Sequence, residues 1–103
     1  MGLGYALAER LVVQDGQVIT ASFMDYALLR ATDMPELLVR LIETNDAEGP
    51  FGAKGLGESG TIPVSAAVAN AVKDAIGIRF TELPITPERV RTALAAGAGR
   101  RTP

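Results

Sequence analysis

Helical periodicity is clearest in the second half of the chain, where Val64, Val68, Val72 and Ile76 stand four apart and Ala71 and Ala75 fill the same face. That spacing predicts an amphipathic helix over residues 63–76, with Pro63 in its first turn and Gly77 at the C′ position where a left-handed residue ends a helix. A last helix is expected from Thr86-Pro87-Glu88, which offers a hydroxyl cap, a proline at N1 and an acid at the positive end of the dipole. Val90 and Leu94 give it an apolar stripe. Tyr5, Ala6, Leu7 and Ala8 favour a short helix within residues 4–10.

Strand signals lie between these helices. Leu11-Val12-Val13 and Val18-Ile19-Thr20 flank Gln14-Asp15-Gly16-Gln17, and Asp-Gly tolerates the positive φ angles of a tight hairpin turn. Residues 22–32 carry Phe23, Met24, Tyr26, Leu28 and Leu29 in no sustained period and read as an irregular connection. After Pro35, Leu37-Leu38-Val39-Arg40-Leu41-Ile42 is apolar on both alternations except at Arg40, the pattern of a strand largely buried on both faces. Residues 78–83 read as a short strand. The order of elements predicts an α+β fold, a small mixed sheet with helices packed on one side, over residues 1–96, followed by a disordered tail at 97–103.

Composition narrows the chemistry. With 103 residues and 48% hydrophobic content the chain suits a single domain or part of one. Its 10 Lys+Arg against 12 Asp+Glu leave a net charge of -2, which argues against nucleic acid as a partner. Cysteine and histidine are both absent, removing disulfides, thiolate and imidazole metal sites and Ser-His-Asp triads together. The longest apolar-leaning run, residues 61–72, is broken by Pro63, Ser65 and Asn70 and falls far short of the ~20 residues that span a bilayer. No signal-peptide pattern opens the sequence, and a cytoplasmic protein is the expectation.

Candidate chemistry concentrates in Phe51-Gly52-Ala53-Lys54-Gly55-Leu56-Gly57-Glu58-Ser59-Gly60, where main chain this permissive costs entropy to order and suits close approach to another group. Gly55-Leu56-Gly57-Glu58-Ser59-Gly60 fits the dinucleotide fingerprint, with Glu82 at about the distance of a ribose-binding acid. That fingerprint needs a strand directly before its first glycine, and a polar, proline-containing segment stands there instead. A P-loop lacks its magnesium-binding hydroxyl, because Gly55 follows Lys54. On composition alone a plain flexible crossing, with Glu58 a solvated charge near a helix start, accounts for the loop equally well.

The ten residues from Gly49 to Glu58, Gly-Pro-Phe-Gly-Ala-Lys-Gly-Leu-Gly-Glu, resemble the Gly-Pro-Phe-Gly-Ala-Lys-Gly-x-Gly-Glu segment of the molybdenum hydroxylases, the family of xanthine dehydrogenase, aldehyde oxidase and aerobic carbon monoxide dehydrogenase. Ser22-Phe23-Met24-Asp25-Tyr26, the helix at 66–76 and Leu83-Pro84-Ile85-Thr86-Pro87-Glu88-Arg89-Val90 resemble flanking elements of the same molybdopterin-binding subunit, near its C-terminal end. The likeness covers about residues 2–92.

The resemblance implies that Glu58 is the general base beside the molybdenum, accepting a proton as an electron-poor carbon is hydroxylated. It implies cofactor contact along Gly52, Ala53, Lys54, Gly55, Leu56 and Gly57. Lys54 has two readings, a partner for a cofactor phosphate or a solvent-facing side chain. The molybdenum of this family is held by the pterin dithiolene and takes no protein side chain as ligand, so the lack of His and Cys is no obstacle. The implied partners are the remainder of the molybdopterin-binding subunit, iron-sulfur and FAD subunits or domains, and a small-molecule substrate. Family subunits run to several hundred residues, so the expectation is a split or truncated portion, inactive alone. Two other readings stay open: a non-catalytic interaction module that keeps the scaffold and is prone to self-association, and a dinucleotide-binding fragment.

Asp25 and Tyr26 read as packing with a satisfied hydroxyl rather than as catalytic groups. Phe51 reads equally as a lining or an anchoring side chain, and Ser59 as a cap or turn residue, since no base is in view to activate it.

Overall fold

In a computed structural model, which describes residues 1–97, the chain forms α1 (Gly2–Leu7), β1 (Val13–Gln14), β2 (Gln17–Val18), α2 (Val64–Ile76) and α3 (Pro87–Ala95), with single 3₁₀ turns at Ala31–Asp33 and Pro50–Gly52. α2 forms where the four-residue apolar repeat predicts it. Val64, Val68, Val72 and Ile76 are half-buried, whereas Lys73 and Asp74 are exposed. Gly77 ends the helix at φ 76°, donating its N–H to the Lys73 carbonyl at 2.8 Å. Pro63 occupies the N-cap, one position before the first turn in which the sequence predicts it. α3 opens as its sequence predicts: the Thr86 hydroxyl accepts the Arg89 N–H at 3.4 Å and Pro87 takes the first helical position. At the end of α3 Gly97 donates to the Leu94 carbonyl at 3.1 Å. Of the disordered tail expected at 97–103, residues 98–103 lie outside the described residues.

The hairpin turns where Asp-Gly predicts it, with Asp15 at φ 49° and Gly16 at φ 78°, both in the region a type I′ turn requires. Val13 pairs with Val18 and Gln14 with Gln17. Thr20 extends the pairing, its Oγ1 accepting the Val12 N–H at 3.0 Å and reaching the Arg10 carbonyl at 3.3 Å.

α1 starts earlier and ends sooner than its propensities suggest, because it packs on α2 through glycine. Gly2 is buried, and a Cβ there would stand 2.6 Å from the Val64 Cβ. The buried hydrophobic centre among the described residues is small: Ala6, Ile78 and Ile85. Ile85 reaches it by donating its N–H to the Ala6 carbonyl at 2.7 Å, following the cis Leu83–Pro84 peptide. Arg89 braces that approach, donating to the carbonyls of Glu82 at 3.1 Å and Pro84 at 2.9 Å.

Three expectations are corrected. The α+β character holds, but the described sheet is a two-stranded antiparallel hairpin with exposed strands, not a mixed sheet covered by helices. Residues 37–42 form no strand and are not buried; Leu38 is 85% and Ile42 87% exposed. Residues 78–83 likewise form no strand, although Ile78 is buried by itself. The physical reason is common to all three. A strand exists only through a neighbour's hydrogen-bonding ladder, and no described residue offers these segments one. The radius of gyration of 18.1 Å, against about 13 Å for a compact domain of this length, reflects the same open arrangement.

Candidate active site

The glycine-rich loop begins in a tightly folded turn. Asn45 and Phe51 take left-handed φ angles of 46° and 54°, and Gly52 follows at 75°. Such angles strain residues other than glycine, and main-chain bonds offset the strain: Asp46 N–H to Gly52 O at 3.1 Å, Gly49 N–H to Asp46 O at 3.3 Å, and Ala53 N–H to Pro50 O at 3.0 Å. The turn is close-packed at two glycines. A Cβ on Gly49 would collide with the Ala53 carbonyl oxygen, and one on Gly52 would stand 3.3 Å from the Asn45 Cα.

Beyond Lys54 the character changes. Around Gly55, Gly57 and Gly60 a Cβ would meet nothing within 4 Å. The main-chain N–H groups from Lys54 to Gly60 donate no hydrogen bond to any described residue. The loop regains structure at its far end, where the Glu58 carbonyl accepts the Thr61 N–H at 2.9 Å just before α2.

An open groove of about 710 Å³ runs between this loop and residues 40–45. Gly52, Ala53, Lys54, Gly55 and Leu56 line it, so five of the sequence-designated site residues share one concavity. Gly57 and Glu58 do not line it; they stand in an exposed turn between the lining residues Leu56 and Ser59. The Glu58 carboxylate has no hydrogen-bond or ionic partner among the described residues. Phe51 is fully exposed at the groove, so it does not anchor the loop by burial. Lys54 is exposed, with its Nζ 3.5 Å from Asp46 Oδ2. Sequence reasoning missed the opposite wall, which includes Arg40, Glu43 and Asn45. Its one sequence signal was Arg40, the single polar residue in an apolar run.

The dinucleotide-binding alternative fails on one observation: among the described residues no strand precedes Gly55, which follows a 3₁₀ turn. Glu82 pairs with Arg89 at 2.9 Å. Tyr26 donates its hydroxyl to Glu9 Oε2 at 2.8 Å, so the satisfied phenol expected there has Glu9 as its acceptor, while Asp25 accepts from Ser22 at 2.8 Å.

Residues 1–35 match the family model described as "Molybdopterin cofactor-binding domain". The gamma subunit of the 6-hydroxypseudooxynicotine dehydrogenase complex of Paenarthrobacter nicotinovorans is 50% identical over 95 residues, spanning 86% of this chain and 12% of that protein. Alignments of that extent necessarily run through the glycine-rich loop. The chain belongs to the molybdenum hydroxylase family. Another relative, the xanthine dehydrogenase molybdenum-binding subunit of Escherichia coli O157:H7, is 39% identical over 92 residues, covering 87% of this chain and 12% of the relative. Among solved structures, quinoline 2-oxidoreductase from Pseudomonas putida 86 superposes with a TM-score of 0.81 at 35% identity, over 91% of this chain and 12% of that one. The chain thus spans about an eighth of the length of these molybdenum hydroxylases. The family is one of oxidoreductases, and its cofactor is molybdenum-molybdopterin.

Proposed function

We propose that this chain contributes one wall of a molybdopterin site in an oxidoreductase of the molybdenum hydroxylase family, and that Glu58 is the proton acceptor there. One observation carries the reading: a run of main-chain N–H groups without internal partners, on a loop bared by glycine, leads directly into a carboxylate that has no partner of its own. Unpaired N–H groups suit an anionic ligand, and positions without a Cβ admit its close approach. The residues therefore fit the cofactor. Gly52, Ala53, Gly55, Leu56 and Gly57 would face it through main chain, and the bound group would supply the redox chemistry.

Glu58 then has one task, to accept a proton from the group that attacks the substrate carbon. A general base requires hydrogen-bond reach and a free acceptor oxygen, and its carboxylate has the second in this structure. The Thr61 N–H bond to the Glu58 carbonyl ties the main chain at Glu58 to the turn that precedes α2.

The surrounding apolar surface supports assembly into a larger subunit. Leu37, Leu38, Val39, Leu41 and Ile42 are each more than half exposed, and cover for them would come from the remainder of the molybdopterin-binding subunit. Iron-sulfur and FAD groups would sit on further domains or chains. The relative named as the gamma subunit of a dehydrogenase complex is in keeping with such a division.

The test is Glu58→Gln in the assembled holoenzyme that contains this segment. Turnover falls by about 10²–10⁴-fold, the range a general base contributes, while molybdenum content stays unchanged. Undiminished turnover would remove Glu58 from the chemistry.

A further inference from the structure

Asp46 holds more of the loop's entry than any residue around it. Its Oδ1 accepts the Glu48 N–H at 2.9 Å, its Oδ2 faces Lys54 Nζ at 3.5 Å, its own N–H donates to Gly52 O at 3.1 Å, and its carbonyl accepts the Gly49 N–H at 3.3 Å. These contacts close residues 46–54 into a ring that contains Phe51, strained at φ 54°, and Gly52 beside it. The Asp46 side chain is about one-third exposed and that of Lys54 more than half, so the ion pair lies at the surface and acts by closing the ring geometrically more than by its strength.

From the geometry we infer that Asp46 is a positioning residue for Glu58 and that Lys54 is its latch, not a ligand of the cofactor's phosphate. The inference rests on the proposed role of Glu58. Between Lys54 and Thr61 the chain makes no hydrogen bond other than that at the Glu58 carbonyl, so Glu58 is suspended between two anchors. One anchor is the start of α2. The other is the closed ring at Lys54, and only the Asp46 carboxylate joins that ring's two sides through side-chain atoms. Two glycines, 55 and 57, separate Lys54 from Glu58, and a Cβ at either would meet nothing within 4 Å, so no packing at those positions fixes the path to Glu58 if the ring at Lys54 opens. A misplacement of the order of 1 Å at a reacting group costs about a hundredfold in rate.

The two roles of Lys54 make opposite predictions. A latch acts only through Asp46, so removing either partner has the same effect and removing both adds nothing. A phosphate ligand acts without Asp46, and its loss releases cofactor.

The experiment compares Asp46→Asn, Lys54→Met, the double variant and the charge-swapped pair Asp46→Lys/Lys54→Asp in the assembled holoenzyme. The expected result is a loss in kcat of about tenfold to a hundredfold for each single variant, with KM within about twofold and molybdopterin content unchanged. The double variant is no worse than the worse single one, and the swapped pair recovers part of the rate. Loss of molybdopterin in Lys54→Met but not in Asp46→Asn would make Lys54 a cofactor ligand and overturn the latch. Additive losses, or wild-type kcat in Asp46→Asn, would overturn it as well.

Hydrogen exchange separates this outcome from the fate of Glu58. In Asp46→Ala, which removes both the acceptor of the Glu48 N–H and the partner of Lys54, the amides of Glu48, Gly49, Gly52 and Ala53 exchange faster, whatever Glu58→Gln does to turnover; unchanged exchange would show that the ring closes without the carboxylate. If Glu58→Gln keeps full activity while that exchange rises, the base assignment falls and the ring stands as a structural feature with no catalytic consequence, which also rejects Asp46 as a positioning residue.

Discussion

Ile85 donates its backbone N–H to the Ala6 carbonyl at 2.7 Å, and the two residues are 2% and 0% exposed. This contact joins α1 to the segment that leads into α3, and it lies at the centre of what little apolar core the described residues possess. Ile85→Ala is expected to cost about 2 kcal/mol, the low end for an isoleucine truncation because so few neighbours surround it. Chemical denaturation followed by circular dichroism measures the loss, and an unchanged midpoint would mean that the core lies elsewhere.

Tyr26 and Glu9 supply an alkaline limb. The hydrogen bond to the Glu9 carboxylate, with help from partial desolvation and the negative charge itself, raises the Tyr26 phenol above its ordinary value. A group whose folded-state pKa is raised stabilises the fold fully below its unfolded value, and the effect disappears as pH climbs through the folded one. Stability should therefore fall in the alkaline range above the ordinary phenol titration, and Tyr26→Phe should remove that dependence. Phenolate absorbance against pH, with and without Tyr26, reads it directly.

At the other extreme, Glu88 and Asp33 are both held below the ordinary carboxylate range. Glu88 accepts its own backbone N–H and the Thr86 hydroxyl at the start of α3; Asp33 accepts the Arg30 backbone N–H at 2.8 Å and pairs with its guanidinium. For a lowered pKa the sign reverses: the stabilisation is present above the unfolded value and is lost as pH falls through the folded one. The first turn of α3 should fray in acid, and Glu88→Gln should leave helicity there less sensitive to acidification. Carboxyl resonances followed by NMR test this; ordinary titration of both groups would contradict it.

Residues 37–42 should behave differently free and assembled. Their amides donate to no described residue, so they exchange rapidly in the chain by itself and slowly once a larger subunit covers them. Leu38→Lys and Ile42→Lys should reduce self-association of the free chain without loss of α2 or α3, and should lower the yield of assembled subunit. Slow exchange in the monomeric free chain would show that these groups already have partners.

Local signals sufficed wherever the deciding interaction spans a few residues. Asp15-Gly16 dictates its own turn through tolerated φ angles, Thr86-Pro87 caps α3 from within, and the Val64-to-Ile76 repeat with Gly77 delimits α2. The ten-residue motif at Gly49 to Glu58 likewise marked the loop that forms one wall of the groove. Long-range partners were another matter. Residues 37–42 carry the pattern of a strand, yet hydrogen-bonding a strand takes a second segment, which no stretch of sequence announces. Nor does spacing disclose that Tyr26 reaches Glu9 across seventeen positions, that Arg89 occupies Glu82, or that Lys54 turns back to Asp46. Those pairings depend on where the folded main chain carries each side chain, and only the tertiary structure decides that.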